Sequence, residues 1–241
     1  MLLTAIFEHT PEAIIQLLLS VPVILLSLSV HEAAHAFVAY KLGDPTARNL
    51  GRLTLNPFKH INPFGFISML VIGIGWANPV PINTRNFKNP RKGMMLSALA
   101  GPVSNLLLGI IFCLLEGFAQ TFNYYQMYMG HYQDFMFWFS FSLWAITYIG
   151  AVLNFALAIF NLIPAPPFDG SRIFFYFLPK NWYFKVMRYE QYIGLGIILV
   201  LVVLSRFFNI SPVSFVADLI HGLVFYPFDR MSQALLALFI G

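Results

Sequence analysis

With 241 residues, 59% of them hydrophobic and only 10% charged, the chain is too apolar for a soluble domain, which carries about a quarter charged residues. The net charge of +4 invites a nucleic-acid partner, but the basic residues lie between apolar runs, which leaves an integral membrane protein and no nucleic acid. A lone Cys113 excludes an internal disulfide.

The first apolar run has no Lys or Arg ahead of it, as expected of an anchored helix rather than a cleaved leader. Thr10-Pro11-Glu12 reads as a cap with Pro at the first helical position. The helix should run to about Leu42, where Gly43-Asp44-Pro45 stops it. Its residues before His31 rise about 30 Å, enough to cross the hydrocarbon. Near its far end, SVHEAAHAFVAY (Ser29 to Tyr40) places His31, Glu32 and His35 in apolar sequence. Ionisable groups are costly there, and a metal is the simplest reason for three of them together. One turn apart, His31 and His35 point to the same side and can bind one cation. Glu32 lies beside that face, placed to act as a base on a water without being a ligand, the arrangement of an HExxH zinc hydrolase.

Residues 46–57, TARNLGRLTLNP, alternate apolar and polar side chains and read as a short strand. Ile61 to Trp76 is apolar but too short to span, has basic loops on both sides, and is expected to be a re-entrant or buried segment. Trp76 to Asn83, WANPVPIN, is interrupted by Pro and reads as an edge strand. A second span is expected over Gly93 to Ala119, followed by a Tyr-rich outer-interface segment from Gln120 to Asp134. A third span, Phe135 to Ile163, leads into NLIPAPPFDG (Asn161 to Gly170). A fourth covers about Tyr189 to Leu204. Residues 205–241 allow either one kinked span or two interfacial helices.

Lys41, Arg48, Arg52 and Lys59 fall in one connecting segment, Arg85, Lys88, Arg91 and Lys92 in a second, and Arg172, Lys180, Lys185 and Arg188 in a third. This positive-inside pattern puts the N-terminus outside, His31 and His35 toward the cytoplasm, and Asp169 on the same side. Two His and one carboxylate supply the three protein ligands of a catalytic zinc site. Asp169 could instead cap a helix at an Asp-Gly turn. His60, His131 and His221 are expected at solvated positions near loops, and Glu116 on a water path or at the outer interface.

HEAAH in a first long membrane helix, followed by NLIPAPPFDG, resembles the site-2 protease family of intramembrane zinc metalloproteases. That family's second motif has the form Asn-x-x-Pro-x-Pro-x-x-Asp-Gly, which Asn161, Pro164, Pro166, Asp169 and Gly170 match; GPVSN (Gly101 to Asn105) also resembles a family element. The resemblance covers roughly residues 15–190 and looks like a minimal member without PDZ or CBS domains. It implies one Zn2+ held by His31, His35 and Asp169, Glu32 as catalytic base, Asn161 as a donor to the oxyanion, and a membrane-dipping β segment presenting substrate.

The expected fold is a single mainly α-helical membrane domain over residues 1–241, with four to six transmembrane helices, short membrane-associated strands and a re-entrant segment. The expected function is zinc metalloendopeptidase action on single-span membrane proteins in the lipid bilayer of the cell membrane, in regulated intramembrane proteolysis. The alternative is a membrane metal transporter or metal-sensing protein. Transport calls for polar positions in series, whereas these gather at one depth.

Overall fold

The computed structural model describes residues 11–72, 77–131, 134–179, 189–208 and 212–240. Helix α1 (Pro11–Lys41) is followed by the short α2 (Thr46–Asn49), then α3 (Pro63–Ile72), α4 (Pro90–Tyr128), α5 (Phe135–Asn161), the short α6 (Asp169–Phe175), α7 (Glu190–Phe208) and α8 (Pro212–Ile240). Among the described residues, Leu17–Lys41, α4 and α5 are long and apolar enough to cross a membrane. The chain is thus a mainly helical, multi-pass membrane protein.

Helix α4 is the centre of the molecule and packs against α1, α5, α6 and α8. The core of the bundle is Val23 of α1, Phe112 and Cys113 of α4, Ala151 and Phe155 of α5, and Ala217 of α8. Pro22, Pro102 and Pro227 lie inside α1, α4 and α8. Helices packed in a bundle tolerate them because neighbours re-satisfy the freed carbonyls.

Three expectations for the connections are corrected. Residues 46–57 form no strand: Thr46–Asn49 is helical, Gly51 turns at φ +66°, and Pro57–Lys59 is a 3-10 turn. Buried Asp44 starts this course by accepting the Thr46 N–H at 3.1 Å, a local bond that competes with strand pairing. The Ala77–Asn83 stretch pairs only at an isolated antiparallel bridge between Ile61 and Ala77, since Pro79 and Pro81 have no N–H to continue a ladder. Helix α4 also runs nine residues past Ala119, where the second span was expected to end, into the segment expected at the outer interface. Two of its polar residues there are buried and partnered across helices: Thr121 Oγ1 shares a hydrogen bond with Ser232 Oγ at 2.8 Å, and Asn123 Nδ2 donates to Ser140 Oγ at 3.0 Å.

The expected re-entrant segment is a ten-residue helix from Pro63 to Ile72, and its expected continuation over 73–76 lies outside the described residues. The C-terminal region, open in the sequence, is one helix that continues through Pro227.

Candidate active site

Helices α1 and α4 cross so that every fourth residue of α4 faces the HEAAH turn. Ser97, Gly101 and Asn105 are all buried on this face. His35 Nδ1 donates to Ser97 O at 2.7 Å, and His31 Nδ1 donates to Asn105 Oδ1. Between them Gly101 lets the helix backbone touch both rings. A Cβ at that position would lie 2.5 Å from His31 Cε1 and 2.5 Å from His35 Nε2.

Asp169 reaches the same point from the opposite side. It is the first residue of α6, and the side-chain cap bond to its own helix allowed by the sequence is not made; the helix has no side-chain cap. Arg91 of α4 anchors the other end of α6, donating from Nη2 to the carbonyls of Phe175 (3.1 Å), Tyr176 (2.7 Å) and Leu178 (2.7 Å). Gly170 closes the approach, because a Cβ there would meet Leu162 O at 2.3 Å and Ile163 O at 2.4 Å.

The three expected ligand atoms converge. His31 Nε2 and His35 Nε2 are 3.0 Å apart, and Asp169 Oδ2 lies 3.1 and 3.2 Å from them. With both Nδ1 atoms facing acceptors, the rings, once neutral around a bound cation, would turn their Nε2 lone pairs inward. Burial raises the Asp169 carboxyl, but the positive charge of His31 and His35, when no cation is bound, outweighs burial and holds it well below the usual carboxylate range. Its Oδ2 is buried without a hydrogen-bond donor. A proton placed among the three atoms serves one contact, whereas a divalent cation serves all three. A tetrahedral cation with bonds of about 2.0–2.1 Å sets its ligands about 3.4 Å apart, close to the spacing found. The donor set therefore fits zinc.

Glu32 is buried beside this trio, and its Oε2 accepts the Val80 N–H at 2.9 Å. The extended segment that supplies Val80 is itself held by Asp44, whose carboxylate accepts from Asn83 N at 2.7 Å and Asn86 Nδ2 at 2.7 Å. Burial pushes the Asp44 carboxyl up, but these bonds and those from Thr46 prevail and leave it below its ordinary value. Asn161 ends α5 and donates to Leu157 O one turn back at 2.9 Å, so its amide is bonded within its own helix.

The remaining expectations divide. His131 is exposed and pairs with Asp134 at 2.6 Å. His60, expected near solvent, is fully buried and donates to Thr54 O at 2.8 Å. Glu116 and His221 are buried as a pair at 2.8 Å between α4 and α8. The sequence reading did not single out Ser97, Arg91 or Asn154. The spacing of Ser97, Gly101 and Asn105 at four-residue intervals in an apolar helix was the available signal for the first of these.

Comparison with known proteins adds an independent line. The profile described as Peptidase family M50 matches residues 127–204, the part that holds Asn161 and Asp169. The chain is 44% identical over 182 residues, 75% of its length and 78% of the relative's, to YwhC of Bacillus subtilis, provisionally named a zinc metalloprotease. The chain belongs to peptidase family M50. This is the site-2 protease family anticipated from the paired motifs. Rip2 of Mycolicibacterium smegmatis, with a similarly provisional name, is 32% identical over 61% of the chain and 52% of the relative. The zinc metalloprotease MJ0392 of Methanocaldococcus jannaschii is 24% identical over 86% of the chain and 47% of the relative. The matches thus cover about half the length of these two M50 relatives. No solved structure matches with comparable significance.

Proposed function

We propose that this M50 chain is an intramembrane zinc metalloendopeptidase that cleaves peptide bonds in or near the transmembrane segments of single-span membrane proteins. The observation that carries the reading is the convergence of His31 Nε2, His35 Nε2 and Asp169 Oδ2 within 3.2 Å, with Glu32 alongside. One zinc ion would be held by these three residues. When bound there, zinc supplies the Lewis acidity that brings a water toward hydroxide near neutral pH.

The chain's own residues supply the rest. Glu32 has one carboxylate oxygen held by the Val80 N–H, which leaves the other to take a proton from the water and return it to the leaving amine. Asn161, once released from Leu157 O, has an N–H to offer the developing oxyanion. A substrate helix must unwind before its scissile carbonyl can be attacked, and its freed backbone groups then need partners. The extended Ala77–Asn83 segment, bridged to Ile61 only at Ala77, can supply some of them by strand addition. Because Glu32 is bonded to this same segment, substrate binding and base placement are mechanically linked.

The concentration of basic residues between the spans supports a site toward the cytoplasmic face of the cell membrane and an N-terminus outside. Regulated intramembrane proteolysis is the physiological role consistent with this placement.

The decisive experiment compares wild type with Glu32→Gln for zinc content and for cleavage of a single-span test substrate. The expected result is one zinc per chain in both and cleavage reduced by about 10²–10⁴-fold in the variant. Undiminished cleavage would overturn the proposal.

A further inference from the structure

The rings of His31 and His35 are fixed by different kinds of partner. His35 Nδ1 meets a backbone carbonyl, whose direction the helix sets. His31 Nδ1 meets the side-chain amide of Asn105, and an amide can rotate. Turned over, it would present its NH2 to Nδ1, move the His31 proton to Nε2, and remove that nitrogen from the ligand set.

The structure shows what prevents the rotation. Asn105 is fully buried, and its Nδ2 donates to Asn154 Oδ1 at 2.8 Å and, more distantly, to Ser27 O at 3.4 Å. Asn154 is fully buried as well, and spends its own Nδ2 on Ser27 Oγ at 2.8 Å and Gly150 O at 2.8 Å, which turns its Oδ1 toward Asn105. Ser27 Oγ gives its proton to Val23 O at 2.7 Å, so only its lone pairs face Asn154. Each orientation is thus dictated by the one before it, starting from two helix carbonyls that cannot turn. The relay passes from α5 through α4 to α1 and ends on His31, one turn along from Ser27.

We infer that Asn154 and Ser27, acting through Asn105, are positioning residues that hold His31 as its Nδ1–H tautomer and thereby set the metal affinity of the site. The inference rests on the zinc reading given above. Three buried polar side chains at the meeting of three helices are hard to explain as packing alone, because an apolar set would fill the same space without needing every bond to be made. Partners that orient a ligating imidazole typically contribute 10–100-fold in metal affinity.

The test measures zinc dissociation constants by chelator competition on the full-length chain in detergent, with the thermal midpoint of the metal-free protein alongside. Asn105→Leu is expected to weaken zinc by about 10–100-fold and Asn154→Ala by about tenfold. Asn105→Asp, protonated on the buried oxygen that meets Asn154 Oδ1, keeps both that donor and the acceptor toward His31 Nδ1, and is expected to bind within a few fold of wild type. A purely structural role would lower the metal-free midpoint without this ordering, and equal losses in Asn105→Leu and Asn105→Asp would overturn the inference. If Asn105→Leu does not fold, the contrast between Asn154→Ala and Asn105→Asp carries the test. Zinc held equally by wild type and Asn154→Ala would defeat the relay alone. Wild type without zinc would defeat the ligand assignment and the relay together.

Discussion

Helix α4 packs against two largely buried clusters of metal-binding residue types, and only one of them has the form of a metal site. Near its start lie His31, His35 and Asp169; about 20 Å further along, Cys113 and Glu116 face His221 of α8. In the first cluster the outer nitrogen of each ring faces an acceptor, and the two inner nitrogens and a carboxylate oxygen meet 3.0–3.2 Å apart. In the second, one imidazole and one carboxylate lie 2.8 Å apart. One shared proton satisfies both, and Cys113 is a buried free thiol beside them. The comparison teaches that residue type and burial do not make a metal centre. What differs between the two clusters is what lies behind the candidate ligands and which way it turns their lone pairs.

The strongest way to break this contrast is to remove one histidine from each cluster. His31→Ala should abolish bound zinc and bring cleavage below detection, while His221→Ala should retain one zinc per chain, both measured by elemental analysis of purified protein. Zinc lost from His221→Ala would make the second cluster a metal site after all.

A steric comparison sharpens it further. Gly101→Ala inserts a methyl group 2.5 Å from both candidate ligand rings, whereas Gly117→Ala, next to Glu116, meets Phe228 Cβ and carbonyl O at 3.2 Å, a contact that a shift of a few tenths of an ångström relieves. The first should weaken zinc by at least about tenfold through displaced ligands. The second should leave zinc affinity unchanged and shift stability by less than about 1 kcal/mol. Chelator competition and thermal unfolding in detergent read the two effects separately.

The smallest effect concerns the proton-sharing pair. Glu116→Leu alone strands His221 and should cost about 1–3 kcal/mol of stability. The double change with His221→Leu should recover most of it, because an apolar pair of similar volume leaves nothing unpaired. Recovery absent from the double variant would show that the pair contributes more than mutual satisfaction. Zinc content should not move in either.

Much of the site was legible in the chain itself. His31, Glu32 and His35 are local, so helix periodicity alone put both rings on one side. Asp169 was legible through the distribution of Lys and Arg, which assigns its loop to the same membrane face without any knowledge of packing. The connections were less legible. Residues 46–57 alternate like a strand, but Asp44 offers its carboxylate to the Thr46 N–H and wins the segment for a helical turn. Gln120 to Asp134 reads by composition as an outer-interface segment beyond the end of the second span. Thr121 and Asn123 there are instead bonded to Ser232 and Ser140 of neighbouring helices, partners that no window of sequence contains.

What the sequence determined by itself was the membrane as solvent and the family, and it named three candidate ligands that the fold brings together, since hydrophobicity, motif and helical period are properties of short stretches. What only the tertiary structure decided was protonation and aim. Asn105, Ser97 and Arg91 act on residues from sixty to more than eighty positions away, through hydrogen bonds whose direction exists only once α1, α4, α5 and α6 are packed. A lone pair points somewhere definite only after the atom behind it has been given a partner.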